Sequence, residues 1–170
     1  MGLSIGIGGV SRAGKTTLSK YISSLYPKKS TLVISMDEFV LAQDKIPRIK
    51  DRIDWETPAS VDYPKIKETI EANLDKYDII ITEGILIFYS EEVNKLFDKR
   101  IFIDIPKSLF YIRRHSDQRW GEEPKWYIDY VWQSYHKYGK LKESFNDTLY
   151  IGGDQSFSAL LIDEYLFKLS

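Results

Sequence analysis

Residues 9–16 read Gly9-Val10-Ser11-Arg12-Ala13-Gly14-Lys15-Thr16, directly after the apolar run Leu3 to Gly8 and directly before a segment in which Leu18, Ile22 and Leu25 recur at helical spacing. A G-x-x-x-x-G-K-T turn wedged between a strand and a helix leaves few folds open. The glycines let successive main-chain N–H groups converge on one oxyanion, the lysine can bridge terminal phosphates, and the threonine hydroxyl can ligate a divalent cation at the helix start. The pattern predicts a phosphate-binding loop. Gly9, Ser11, Arg12, Ala13, Gly14, Lys15, Thr16 and Thr17 are its expected contacts to a nucleoside triphosphate such as ATP. A dinucleotide fingerprint does not fit, because Gly6 and Gly8 are followed by Ser11 where a third glycine belongs.

Strand-like and helix-like segments alternate through the rest of the chain, the pattern of a parallel sheet covered on both faces. Five strands are expected, at Leu3 to Gly8, Thr31 to Ser35, Asp78 to Thr82, Arg100 to Ile105 and Thr148 to Ile151, each rich in Ile, Val or Phe. Helices are expected at Lys15 to Leu25, Tyr63 to Asp75, Glu91 to Phe97, Ser108 to Arg119, Lys125 to Lys142 and Phe157 to Leu169. Ser90 and Ser156 are the expected N-caps of two of them, and Pro106 stops the fourth strand. The fold class that follows is α/β: a three-layer P-loop NTPase with a five-stranded parallel sheet flanked by helices. With 170 residues, one domain over 1–170 is expected. The long irregular segment at about 40–62 reads as a functional loop, and about 113–127 as a mobile lid.

Net charge is −1 with 29% charged residues, which marks no dedicated nucleic-acid or membrane-surface binder. No stretch approaches the ~20 apolar residues of a membrane span, and the start lacks the basic residues of a secretory signal. The absence of cysteine excludes disulfides and thiolate metal sites and suits a reducing compartment, so a cytoplasmic location is expected.

Ligands in open α/β sheets sit at the carboxyl ends of strands, and two acidic groups follow such ends. Asp37, after the second strand, reads either as the carboxylate that takes a hydrogen bond and a proton from an attacking hydroxyl or as a helix N-cap. Glu83, after Asp78 to Thr82, reads as the acidic residue of a Walker-B strand, reaching Mg²⁺ directly or through water, or as a strand-end turn with Gly84. The metal set is then Thr16, Glu83 and Asp37. Arg113, Arg114 and Arg119 could clamp a transferring phosphate, as forked guanidinium groups do, or could simply complement a helix C-terminus. Tyr127, Tyr130, Val131, Ser134 and Tyr138 recur at helical spacing and read mainly as packing. His115 and His136 read as surface and helix-face residues, with no transition-metal constellation around them.

Gly9 to Leu18, Ser35 to Phe39, Trp55-Glu56-Thr57-Pro58-Ala59, Thr82 to Phe88, the arginine helix, Tyr127 through Tyr135 and Leu149 to Asp154 resemble, in that order, the nicotinamide riboside kinases within the wider uridine kinase group. The resemblance spans nearly the whole chain and implies the nucleoside and nucleotide kinase-like type of the P-loop fold. It implies transfer of the ATP γ-phosphate to a nucleoside 5′-hydroxyl with Mg²⁺, a place in NAD biosynthesis, and a small-molecule nucleoside as partner to a monomer or homodimer. Lys15, Asp37, Arg113, Arg114 and Arg119 would then be catalytic. Phe39, Trp55, Glu56, Glu83 and Trp120 would join Asp37 around the acceptor, with Glu56 on the ribose diol and Trp55 stacked on the base. Relatives carry Asp where this chain has the longer Glu56. A tryptophan face suits a cationic nicotinamide ring, although uracil also stacks there and Trp55 could instead plug the space under the loop. Uridine kinases commonly carry an extra hairpin after the second strand, and the compact length here leans toward nicotinamide riboside. Uridine or cytidine is the alternative acceptor, then another small alcohol. A nucleotide-binding switch without transferase activity is a further class, which acceptor-side Asp37 and Glu56 argue against.

Overall fold

The computed structural model describes residues 1–117, 119, 121–141 and 147–168. In chain order these form β1 (Leu3–Gly9), α1 (Lys15–Leu25), β2 (Thr31–Ser35), β3 (Arg48–Ile49), β4 (Arg52–Ile53), α2 (Tyr63–Glu71), β5 (Ile79–Glu83), α3 (Glu91–Asn94), β6 (Lys99–Asp104), α4 (Lys107–His115), α5 (Lys125–Ser134), β7 (Leu149–Gly152) and α6 (Ala159–Asp163). The main sheet runs β2-β5-β1-β6-β7 with every neighbouring pair parallel. Such strands are covered on both faces, so they carry continuous apolar runs. Ile5, Ile7, Ile79, Ile80, Ile81, Ile101 and Ile103 are all fully buried, each contributing roughly 1.5–3 kcal/mol through removal from water.

Register places the chemistry. Glu83 pairs with Ile7 of β1 and with Ser35 of β2, so the phosphate loop, Glu83 and the turn after Ser35 leave the sheet at one edge. That edge is where the strand order reverses around β1.

The five expected strands and the helix Lys15 to Leu25 are present, but several ends differ. The α4 helix stops at His115 instead of Arg119. Asp117 accepts both the Arg119 N–H, at 3.2 Å, and its guanidinium, a local alternative to helical bonding that ends the helix. The α2 helix ends at Glu71 and α3 at Asn94, each followed by a turn. Beyond α5 the chain widens into a π-helical turn at Tyr135–Gly139; Lys142, the expected end of that helix, lies outside the described residues, as does Leu169. Ser90 caps α3 by accepting the Val93 N–H. Ser156 does not cap the last helix, which begins two residues later than expected: Ser158 accepts the Leu161 N–H and Ala159 opens α6.

The 40–62 segment is more ordered than its composition implies. Its ends are joined by a Val40–Val61 bridge and by main-chain bonds from Leu41 to Ser60 and from Asp62 to Phe39. Inside it, β3 and β4 pair antiparallel through two residues each. A hairpin therefore does follow β2, in miniature, and compactness alone does not separate the two acceptor classes. Among the described residues no helix is long and apolar enough to cross a membrane.

Candidate active site

Gly9 and Gly14 take φ of +147° and +109°, where an L side chain is strained. A Cβ on Gly9 would also stand 2.5 Å from the Ile103 carbonyl oxygen. These conformations turn the chain sharply enough for α1 to start at Lys15, with no side chain capping its first turn. Its leading N–H groups are thus available to an anion. Lys15 folds back over the loop and donates from Nζ to the Val10 carbonyl at 3.0 Å. Burial lowers its pKa, and Glu83, Asp37 and Glu56 oppose that shift. Three carboxylates from three separate segments therefore converge on one lysine.

Glu83 is buried at the end of β5, and its Oε1 accepts the Thr16 hydroxyl at 2.9 Å. Two hard oxygen donors side by side suit Mg²⁺. Among the described residues no group of three or more His, Cys, Asp or Glu could hold a metal, so a cation here would draw its remaining ligands from phosphate oxygens and water. Asp37 lies in a 3₁₀ turn, Met36–Phe39. It is exposed and lines the same cavity of about 610 Å³ as the phosphate loop, Glu83, Arg113 and Arg119.

The three arginines have different surroundings. Arg113 donates to the carbonyls of Arg12 at 3.0 Å and Gly153 at 2.7 Å, tying the phosphate loop to the turn after β7. Arg114 is buried; it donates to both Glu123 oxygens at 2.6 and 2.8 Å and to the Ser11 hydroxyl at 2.7 Å. Arg119 grips Asp117 from an exposed position, its side chain 64% accessible. That contact holds the Asp117 carboxyl well below the usual range, with Arg12 adding to the effect. Both Arg119 and Asp37 face the cavity, and their charges interact.

On the acceptor side, Glu56 is 7% exposed. Burial pushes its pKa up to about 7; Arg114 opposes the shift, while Asp54, Glu123 and Asp37 add to it. Trp55 is 38% exposed, Phe39 packs against the core, and Trp120 lies outside the described residues. The aromatic stripe of α5 is mainly core, as its spacing implies: Tyr127, Val131 and Ser134 are buried. His136 packs its ring 4.7 Å from Trp132, on the helix face expected for it.

Two groups of residues escaped the sequence reading. Gln155 and Phe157, after the Gly152-Gly153 turn, complete the nucleotide-side cavity; the turn itself was the available signal. Asp54, Glu123 and Tyr130 join Glu56 and Arg114 through contacts between distant segments, for which no local pattern exists.

No family model matches the chain. Nicotinamide riboside kinase 2 of Mus musculus is 27% identical over 177 residues, which cover 92% of this chain and 90% of that protein. A uridine kinase of Ureaplasma parvum serovar 3 is 29% identical over 134 residues, covering 64% of this chain and 65% of its own length. Among solved structures, a shikimate kinase of Bacteroides thetaiotaomicron matches with a TM-score of 0.57 over 98% of this chain and 96% of its own, at 14% identity, a likeness of fold alone. Fold, phosphate loop and relatives agree on an ATP-dependent phosphotransferase with the P-loop kinase fold, similar to nicotinamide riboside kinases and uridine kinases.

Proposed function

We propose that the protein transfers the γ-phosphate of ATP to the 5′-hydroxyl of a ribonucleoside, with nicotinamide riboside as the preferred acceptor, in a single cytoplasmic domain that feeds NAD biosynthesis. The observation that carries this reading is the acidic acceptor side. Around Glu56, the carboxylates of Asp54, Glu123 and Asp37 are met by one guanidinium, that of Arg114, and a pocket with that balance favours a cationic or neutral acceptor over an anionic one.

The loop N–H groups and Lys15 hold the donor phosphates, and Asp37 aligns the acceptor hydroxyl and receives its proton as the new phosphorus–oxygen bond forms and the bond to the β-phosphate oxygen breaks. A Mg²⁺ ion held by Thr16 and Glu83 would neutralise charge between the β- and γ-phosphates. Glu56 accepts from the ribose hydroxyls, and the exposed face of Trp55 stacks on the base. Of the three arginines, Arg119 is assigned to the transferring phosphate, since Arg113 and Arg114 are committed to holding the phosphate loop and the acceptor wall. Closure of the 113–127 lid excludes water.

ADP release with ATP and Mg²⁺, compared across nicotinamide riboside, uridine, cytidine and no acceptor, tests the assignment. Turnover with nicotinamide riboside well above the others is expected. Preference for uridine or cytidine, a reading favoured by the uridine kinase relative, would replace it, and acceptor-independent ADP release alone would sink both.

A further inference from the structure

Asp54 has no part in the chemistry above, yet it is 8% exposed and has both oxygens engaged. Its Oδ1 accepts the main-chain N–H of Glu56 at 3.1 Å, and its Oδ2 accepts the Tyr130 hydroxyl at 2.6 Å, across 76 residues of chain. One carboxylate thus fixes the backbone that carries Glu56 and fastens it to α5. Two cation–ring contacts run beside it: Lys50 Nζ lies 4.0 Å from the Trp126 ring centroid, and the Arg52 guanidinium lies 5.1 Å from that of Tyr127. The hairpin and the first half of α5 therefore form one wall.

An asparagine could make similar local bonds without bringing a second negative charge to Glu56. The charge has a consequence that packing alone does not. Glu56 faces Arg114 from α4, Glu123 from the lid, Asp37 from the turn after β2, Lys15 from the phosphate loop and Tyr127 from α5, and Asp54 adds to the negative field around it.

We propose that Asp54 is a positioning residue of the acceptor site, orienting Glu56 through its main-chain N–H and coupling that orientation to the seating of α5 through Tyr130. The inference rests on the reading of Glu56 as the acceptor's ribose ligand.

Steady-state kinetics of the wild type, Glu56→Gln, Asp54→Asn and Tyr130→Phe, with whichever nucleoside is turned over, separate the two claims. Asp54→Asn and Tyr130→Phe are expected to raise the acceptor KM about tenfold while leaving the ATP KM within about twofold. The acidic limb of kcat/KM for the acceptor should move to lower pH in Asp54→Asn, where a negative charge beside Glu56 is lost, and stay in place in Tyr130→Phe. Wild-type KM and an unmoved limb in both, with a raised KM in Glu56→Gln, would overturn the role of Asp54 and leave the acceptor reading standing. Wild-type KM in Glu56→Gln would overturn both. Independently of any acceptor, amide exchange across residues 48–56 should quicken in Tyr130→Phe, and exchange at the wild-type rate would overturn the coupling to α5.

Discussion

On the phosphate side of the site, most of the groups that would meet the nucleotide come from residues 9–17, joined by Glu83 from the neighbouring strand and by Arg113, Arg119, Gln155 and Phe157 at the rim of the cavity. On the acceptor side, Asp37, Asp54, Glu56, Arg114, Glu123 and Tyr130 come from segments spread over most of the chain. The first half is set by backbone conformation: two left-handed glycines and a helix start. The second is set by side chains holding one another, with a buried Arg114–Glu123 pair at its centre. A site built from backbone tolerates side-chain change at its periphery. A site built from mutually dependent charges does not, since removing one partner leaves another buried alone.

The largest expected effect tests whether the halves meet at Asp37. Asp37→Asn should lower kcat by roughly 10²–10⁴-fold with ATP affinity unchanged, read from turnover alongside nucleotide titration. Wild-type kcat would remove Asp37 from the proton path.

Next comes the dependence among buried charges. Arg114→Ala leaves Glu123 and Glu56 without their shared cation and should cost about 3–5 kcal/mol of stability, measured by urea unfolding. A loss no larger than that of an exposed ion pair would show that the acceptor wall does not rely on this pair.

Glu56 sharpens the contrast through pH. Its folded pKa of about 7 lies above the ordinary 4.5, so the folded state binds the proton more tightly than the unfolded one. Its contribution to stability is therefore fully present below about 4.5 and is lost as pH rises toward 7. Thermal unfolding at pH 5 and pH 8 should show the wild type losing ground to Glu56→Gln at the higher pH; an identical difference at both would mean that Glu56 is not buried as a charge. Activity runs the other way. The carboxylate is needed to accept from two hydroxyls, so kcat/KM for the acceptor should fall as pH drops through about 7.

The smallest effect is a control outside both halves. Ser90→Ala removes the α3 cap and should cost about 1 kcal/mol, with kinetic constants unchanged; altered constants would mean that the site is sensitive to stability in general.

The same contrast explains what could be read from the sequence. The β1–loop–α1 unit was legible because its information is local: glycines at fixed spacing and a helical apolar stripe. Asp37 and Glu83 were legible because strand ends are predictable even when their side-chain partners are not. Asp54, Glu123 and Tyr130 were not, because a carboxylate in a charged loop looks solvated until a partner far along the chain closes over it. The last helix went wrong for a smaller reason. Ser156 and Ser158 are equivalent as caps on propensity, and only the observed main-chain path selects Ser158. The end of α4 was missed because Asp117 and Arg119 bond to each other instead of extending the helix.

The position of β1 has a consequence for how the molecule is made. β1, which precedes both of its partners along the chain, lies at the centre of the sheet, paired with residues 79–83 on one side and 99–103 on the other. Its fully buried Ile5 and Ile7 pair with Ile81 and Glu83 and with Lys99 and Ile101, so their sheet neighbours are made long after them. Topology of this kind slows folding and prolongs exposure of apolar strands. The segment that carries the phosphate loop is thus made before the strands that enclose it, and the nascent chain passes through a stage at which it can aggregate but cannot yet bind a nucleotide.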